Sequence, residues 1–230
     1  MNKYITLLIP LLIIKSGLAF AGTHELVKSA SGAKYYEEAK FKKGEINKSF
    51  YYIRHGETDT NKYKIVSENP DYPLNEEGLL QAQKAAKLLV GKNIKIIVAS
   101  PLLRTKQTAE IISKELNVPI IYKEGLVEAN RGYVQGENIK TSKKSKIWKS
   151  GGEVDGAESL YLFQKRIHST IKEVVNKYDN VLIVSHGVVF QNLTTLLNEK
   201  KLTTKNAVPY YFTPISDENS KELYKITPLE

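Results

Sequence analysis

Two hydrophobic periods alternate along this chain. Phe50-Tyr51-Tyr52-Ile53 is an unbroken apolar run of strand length, and Ile94 to Ala99 reads as a second buried strand. Between them, Asn75-Glu76-Glu77 opens a helix that runs to Val90 and stops at Gly91. Ser100-Pro101 reads as the next helix start, with Ser as cap and Pro at the first helical position; that helix continues to about Leu116. Val118 to Tyr122 is a short strand. Leu160, Phe163, Ile167, Ile171, Val174 and Tyr178 keep three-to-four spacing, which predicts a long helix from about Glu158 to Tyr178. Val181 to Val184 is a fully apolar strand, Val188 to Leu197 another helix, and a last strand falls near Val208–Phe212.

Strands alternating with helices predict an α/β fold: a three-layer sandwich, with a mainly parallel sheet flanked by helices. Ligands on such sheets bind beyond the carboxyl ends of the strands. Arg54-His55 follows the first strand, Arg104 the second, and His186 the last buried one. Three cationic or titratable groups far apart in sequence are thereby expected on one rim.

The N-terminus follows a different pattern. Lys3 is a short positive region, Tyr4 to Ile14 an apolar stretch, and Ala19-Phe20-Ala21 a small-x-small site. Residues 1–21 are therefore expected to be a signal peptide, and the mature protein to be exported, periplasmic or secreted. Lys15 leaves the apolar run too short to span a bilayer, and no other segment reaches about twenty apolar residues, so no membrane span is expected after cleavage. Residues 22–48 read as a polar leader with a short helix near Tyr35–Phe41, and residues 49–230 as the domain.

Charge and composition narrow the chemistry. The net charge is +9, and it falls to +7 when Lys3 and Lys15 leave with the signal. A basic surface favours anionic partners, although scattered Lys also serves solubility. No aromatic-interleaved basic stripe marks a nucleic-acid binder. The chain has no Cys, which excludes disulfides and every Cys-nucleophile mechanism. Its only arginines are Arg54, Arg104, Arg131 and Arg166. In so Lys-rich a chain, planar bidentate phosphate binding is one task Lys performs less well.

Of the four histidines, His24 lies in the leader and His168 on a helix, which leaves His55 and His186 for a site. No HxxxH or His/Asp cluster has metal-ligand spacing, so neither metal nor cofactor is expected. Two arginines beside two histidines suit phosphoryl transfer, with the amides of the helix after Ser100 adding their positive end.

These residues resemble a known family. Arg54-His55-Gly56-Glu57-Thr58 with Asn61 is similar to the N-terminal signature of the histidine phosphatase superfamily, the phosphoglycerate mutase-like proteins. The resemblance continues through Pro73-Leu74-Asn75-Glu76-Glu77-Gly78 with Gln81-Ala82, through Ala99-Ser100-Pro101-Leu102-Leu103-Arg104 to Ala109, and through Val184-Ser185-His186-Gly187. The four blocks stand in the family's order. The resemblance implies His55 as nucleophile and phosphohistidine, and Arg54, Arg104 and His186 around the transferring phosphoryl group. It adds phosphate contacts from Thr58, Asn61 and Gly187. In Leu126-Val127-Glu128-Ala129-Asn130-Arg131-Gly132 it implies Glu128 as general acid; Gly156-Ala157-Glu158-Ser159 matches a further segment with one extra residue.

The function so implied is a histidine acid phosphatase-type phosphomonoesterase acting on a small-molecule phosphate monoester. A phosphoglycerate-mutase-type transferase and an inactive phosphate- or polyanion-binding module are the alternatives. Mutases of the family carry a Trp-bearing stretch after the RHG motif, where this chain has Lys62-Tyr63-Lys64 and Glu68-Asn69-Pro70-Asp71; its one Trp is Trp148. The lysines at 140, 143, 144, 146 and 149 form either a polyanion-selecting cover or a solvated loop.

Overall fold

The computed structural model describes residues 39–65, 71–132, 136–138 and 140–229. The expected signal peptide, residues 1–21, and most of the short helix expected over Tyr35–Phe41 lie outside these residues.

Among the described residues six strands form one sheet: β1 (Phe50–Arg54), β2 (Ile96–Ala99), β3 (Ile120–Tyr122), β4 (Val181–Ser185), β5 (Pro209–Pro214) and β6 (Tyr224–Pro228), in the order β3-β2-β4-β1-β5-β6. β3, β2, β4 and β1 run parallel; β5 is antiparallel to β1, and β6 to β5. The helices are α1 (Asp59–Tyr63), α2 (Glu76–Leu89), α3 (Leu103–Leu116), α4 (Lys143–Lys149), α5 (Leu160–Lys177) and α6 (Gly187–Asn198).

The alternation of strand side chains builds the three layers. Phe50 and Tyr52 of β1, with Val181 and Ile183 of β4, pack on α5 and α6 through Phe163, Ile167, Ile171, Phe190 and Leu193. Tyr51, Ile53, Leu182 and Val184 face the other way onto Ala85, Ala86 and Leu89 of α2 and Ala109 and Ile112 of α3. Both faces being covered, the central strands are apolar up to their carboxyl ends, Arg54 of β1 and Ser185 of β4, as buried parallel strands require. Each such large side chain contributes about 1.5–3 kcal/mol by leaving water.

The packed body takes in residues ahead of Ser49, where the sequence placed a leader. Ala39, Phe41 and Ile46 are buried in the α5–α6 layer, and the Phe41 amide donates to the Leu196 carbonyl. Glu45 accepts from Lys172 at 2.6 Å and pairs with His168 at 3.1 Å. Burial alone would raise its carboxyl; bonds from Lys172, the Lys42 amide and His168 outweigh that and bring it to about 2.

Helix boundaries follow local chemistry. Asn75 caps α2 by accepting from the Gly78 amide, and Ser159 caps α5 by accepting from Leu162. The expected cap at Ser100 is not formed. α3 begins at Leu103, and Ser100 Oγ lies 3.5 Å from the Leu102 amide, at the limit of a bond. The Leu103 amide instead donates to the Asp71 carboxylate. Ser100 is spent elsewhere, as the site shows.

Candidate active site

The parallel ladder continues one residue past the strands and lines up the site. The His55 amide donates to Ser185 O at 3.0 Å, Ser100 to Val184 O at 3.0 Å, and Lys123 to Ala99 O at 2.9 Å. His55, His186, Ser100 and the segment leading to Glu128 therefore leave adjacent strands β1, β4, β2 and β3 on one edge.

His55 and His186 meet with ring centroids 5.3 Å apart, and both are buried. His55 Nδ1 lies 2.7 Å from the Gly56 carbonyl. A carbonyl only accepts, so Nδ1 carries the hydrogen and the Nε2 lone pair is free to attack. Burial, and then the charges of Arg104 and Arg54, hold the His55 imidazole well below its usual range. It is neutral at pH 7, as a nucleophile must be. His186 is lowered too, by burial and then by Arg104, His55, Arg54 and Arg166. Its Nε2 lies 2.8 Å from Ser100 Oγ, while its carbonyl accepts from the Tyr52 hydroxyl at 2.8 Å. Ser100 thus fixes an imidazole rather than a helix.

Arg54 ends β1 and donates from one terminal nitrogen to Thr204 O at 3.3 Å. Arg54 Nε and His186 Nδ1 are buried without a protein partner among the described residues. Buried polar atoms so placed cost stability unless a ligand satisfies them. Gly187 makes room for Arg54: a Cβ there would stand 3.2 Å from Arg54 Nε. Arg104, in the first turn of α3, lies over the Tyr72 ring at 4.5 Å. The first amide of α3 is taken by Asp71, so the anion-binding helix start expected after Ser100 is occupied by the protein's own carboxylate.

Thr58 is buried and caps α1, with its hydroxyl oxygen accepting from the Asn61 amide. Asn61 Oδ1 accepts from Asn206 Nδ2 at 2.9 Å, and the same amide group donates to the His55 carbonyl at 3.0 Å. Nothing in the sequence marks Asn206: a lone Asn in a loop carries no pattern.

The His55 loop is pressed onto α2. A Cβ on Gly56 would run into the Gly78 carbonyl, and a Cβ on Gly78 into the backbone of Glu57. Backbone approach this close requires glycine on both sides. The Pro73–Gly78 block therefore shapes the loop that carries His55.

Glu128 is half-buried. One carboxylate oxygen accepts from its neighbour Ala129 at 3.0 Å, the other from the Val188 amide at 3.1 Å in the first turn of α6. Arg166 holds the segment that carries it, donating to the carbonyls of Gly125 (3.0 Å), Val127 (2.8 Å) and Glu128 (3.4 Å). Its fork also grips Glu158 at 2.7 and 2.9 Å. Neither Arg166 nor Glu158 was assigned a task by the sequence. Their i, i+8 separation hides a pair that spans the start of α5.

Of the lysines of 140–149, Lys143, Lys144, Lys146 and Lys149 lie on α4, a helix rather than a loop, and Lys140 precedes it. Ser145 and Trp148 are its buried face; Lys143, Lys146 and Lys149 are exposed, and Lys144 donates to the Gly132 carbonyl. Among the described residues no group of three or more acidic, Cys or His side chains is arranged to hold a metal ion.

A mainly parallel α/β sheet carries a buried neutral imidazole, with Arg54 and Arg104 acting on it, at its carboxyl edge, the site of an anion-binding α/β protein. The chain belongs to the histidine phosphatase superfamily (branch 1), whose sequence profile matches residues 50–215. It is 34% identical over 145 residues to an uncharacterized phosphatase, PhoE, of Bacillus subtilis, covering 62% of this chain and 74% of that protein. It is 30% identical over 172 residues to a probable phosphoglycerate mutase, GpmB, of Escherichia coli, covering 68% and 80%. A mycobacterial glucosyl-3-phosphoglycerate phosphatase solved with VO3 superposes with a TM-score of 0.65 at 22% identity, covering 79% of this chain and 97% of that one. A putative alpha-ribazole-5'-P phosphatase of E. coli gives 0.66 at 21%, covering 80% and 96%. These superpositions establish the fold.

Proposed function

We propose that this protein is an exported acid-type phosphomonoesterase working through a phosphohistidine on His55. The observation that carries the reading is the His55 imidazole: neutral, with Nδ1 tied to the Gly56 carbonyl, beside two arginines and a second imidazole. His55 Nε2 attacks phosphorus, and the P–O ester bond breaks as the P–N bond forms. Arg54, Arg104, His186 and the donors of Thr58, Asn61 and Gly187 meet charge on the three equatorial oxygens; preplaced donors need little reorganisation. Glu128, as the acid, gives its proton to the departing alkoxide. It then takes a proton from water, whose oxygen displaces His55 and releases phosphate. His186 starts neutral and gains its proton only against a bound dianion, so its charge arrives with the substrate.

The test is turnover of p-nitrophenyl phosphate by the mature protein in EDTA. We expect activity to persist in chelator, to vanish in His55→Ala with folding intact, and an acid-labile phosphoenzyme to form on the wild type. Residual activity in His55→Ala above a few per cent overturns the nucleophile. Loss in EDTA restored by a divalent ion overturns the metal-free mechanism. Transfer of the phosphoryl group to an alcohol faster than to water would replace hydrolase by mutase-type transferase. For export, supported by the tripartite pattern of 1–21, Gly22 at the mature N-terminus is the expected result, and an intact Met1 or Asn2 on cytoplasmic protein refutes it.

A further inference from the structure

The segment between α6 and β5 runs along the loop that carries His55. Leu202, Thr204 and Asn206 are half-buried while Thr203 and Lys205 are exposed, so alternate residues turn toward the body. The Thr204 carbonyl accepts from Arg54 at 3.3 Å, and the Ala207 amide donates to the carbonyls of Arg54 (3.0 Å) and His55 (3.3 Å). Asn206 Nδ2 donates to the His55 carbonyl at 3.0 Å, to the Gly56 carbonyl at 3.2 Å and to Asn61 Oδ1 at 2.9 Å. Ala207 is buried with a φ of +50°, in the left-handed region that a residue with a Cβ rarely adopts. Backbone of that kind persists where its surroundings hold it.

The acceptors decide how both amides point. A backbone carbonyl only accepts, so the group that Asn206 turns to His55 and Gly56 is its NH2. One hydrogen of that NH2 serves the two carbonyls and the other serves Asn61, which leaves none for a substrate. Asn61 therefore presents its oxygen to Asn206, and its own NH2 points elsewhere. Among the described residues that NH2 donates to no protein atom. The Gly56 carbonyl also accepts the His55 Nδ1 hydrogen at 2.7 Å, so Asn206 supplies its second bond and is anchored on a fixed group. An Asn amide left to itself turns over between two forms of similar energy. Asn206 removes that freedom from Asn61.

We propose that Asn206 is a positioning residue that holds Asn61 with its amide donor, and not its oxygen, toward the transferring phosphoryl group. The inference rests on the phosphomonoesterase reading, which sets Asn61 against a phosphate oxygen, and adds to it a residue outside all four signature blocks. Without Asn206 the Asn61 amide turns over, and its flipped form sets an oxygen lone pair against an anion. A preplaced donor needs little reorganisation as charge builds on the phosphoryl oxygens, and a donor that must first be turned loses that advantage.

The experiment is a double-mutant cycle of Asn206→Ala and Asn61→Ala, read by kcat/KM for p-nitrophenyl phosphate and by inhibition with orthovanadate. Asn206→Ala should lower kcat/KM and weaken vanadate inhibition by about tenfold or more each, the scale of one hydrogen bond to a charged group. In the Asn61→Ala background the same change should alter either by less than about twofold. A merely structural role moves both backgrounds alike. No loss in the wild-type background, or equal losses in the two, overturns the proposal. Asn61→Asp gives a check that leaves Asn206 in place, and it stands even where Asn206→Ala does not fold. It keeps the acceptor that Asn206 needs, so its urea midpoint should stay near wild type while vanadate inhibition weakens by about tenfold or more. Vanadate inhibition as strong as wild type in Asn61→Asp overturns the proposal, because no donor from residue 61 then meets the anion. Wild-type protein that neither cleaves the ester nor binds vanadate overturns the phosphomonoesterase reading. Wild-type protein that does both, with an additive cycle, overturns the role of Asn206 alone.

Discussion

The carboxylate of Glu128 accepts the backbone N–H of Val188 at 3.1 Å, two residues after His186. The proposed acid and the second imidazole are thus fixed by one short stretch, the start of α6. The backbone N–H groups of Ala129 and Val188 thereby hold both carboxylate oxygens of the proposed acid in place.

If Glu128 is the acid of the first half, its importance depends on the leaving group. An alkyl phosphate departs as a basic alkoxide and needs the proton; p-nitrophenolate is a stable anion and needs it less. Glu128→Gln keeps size and polarity but cannot exchange a proton at neutral pH. Single-turnover formation of the phosphoenzyme should fall about a hundredfold or more with an alkyl ester, and clearly less with p-nitrophenyl phosphate. Equal losses would mean that Glu128 only positions other groups.

Arg166 should act through Glu128. Its fork holds Glu158 and its other nitrogen the carbonyls of Gly125 and Val127, so it sets where the acid's backbone runs. Arg166→Lys keeps the charge and loses the fork. We expect alkyl-ester turnover to fall about tenfold or more, with a smaller effect on p-nitrophenyl phosphate. A merely structural role would move both substrates together.

The rim was legible because apolar strands end abruptly in Arg54-His55, Ser100 and His186. A parallel sheet gathers such ends by its own geometry. Less legible was what depends on distance between segments. Ser100 before Pro101 reads locally as a helix cap; only the adjacency of β2 and β4 gives His186 as its partner. β6 was missed because Tyr224, its one buried residue, stands in a polar run at the sheet edge. Ala39, Phe41 and Ile46 follow no period, so the polar residues around them read as a leader. The motif Pro73–Gly78 was seen, but its physical reason, contact between Gly78 and the His55 loop, needed coordinates.

That contact makes its own prediction. Gly78→Ala replaces a glycine inside a helix, where alanine is ordinarily favoured by about 0.5–1 kcal/mol. Here the added Cβ meets the backbone of Glu57, which cannot swing aside as a side chain would. We expect the sign to reverse, with a loss of about 2 kcal/mol or more in urea unfolding. Activity should fall further than stability accounts for, because relief of the clash moves His55. Gly91→Ala is the control. Nothing lies within 4 Å of a Cβ there, so the active site should be untouched although its φ of +75° costs some stability.

The pH dependence of stability follows from the two buried imidazoles. Burial, before any charge, pushes His55 and His186 well below the usual histidine value of 6.5. The native state therefore stays unprotonated at both positions while the unfolded chain binds protons below 6.5. Folding stability is fully present above that pH and falls as pH drops, until the native imidazoles themselves titrate. Each contributes a slope of about 1.4 kcal/mol per pH unit within that window. Glu45 does not confuse the measurement, because its carboxyl, brought to about 2 in the fold from an unperturbed 4.5, loses its contribution only at lower pH. Urea unfolding at intervals between pH 7 and pH 5 should give a steep acid limb in the wild type. His55→Ala should flatten it by about 1.4 kcal/mol per unit. The acid limb of kcat/KM should meanwhile lie below pH 6.5, because His55 keeps its lone pair into mildly acidic solution. A limb centred at 6.5 or above, or an unchanged stability slope in His55→Ala, would show that His55 is protonated in the native protein and is no nucleophile at neutral pH.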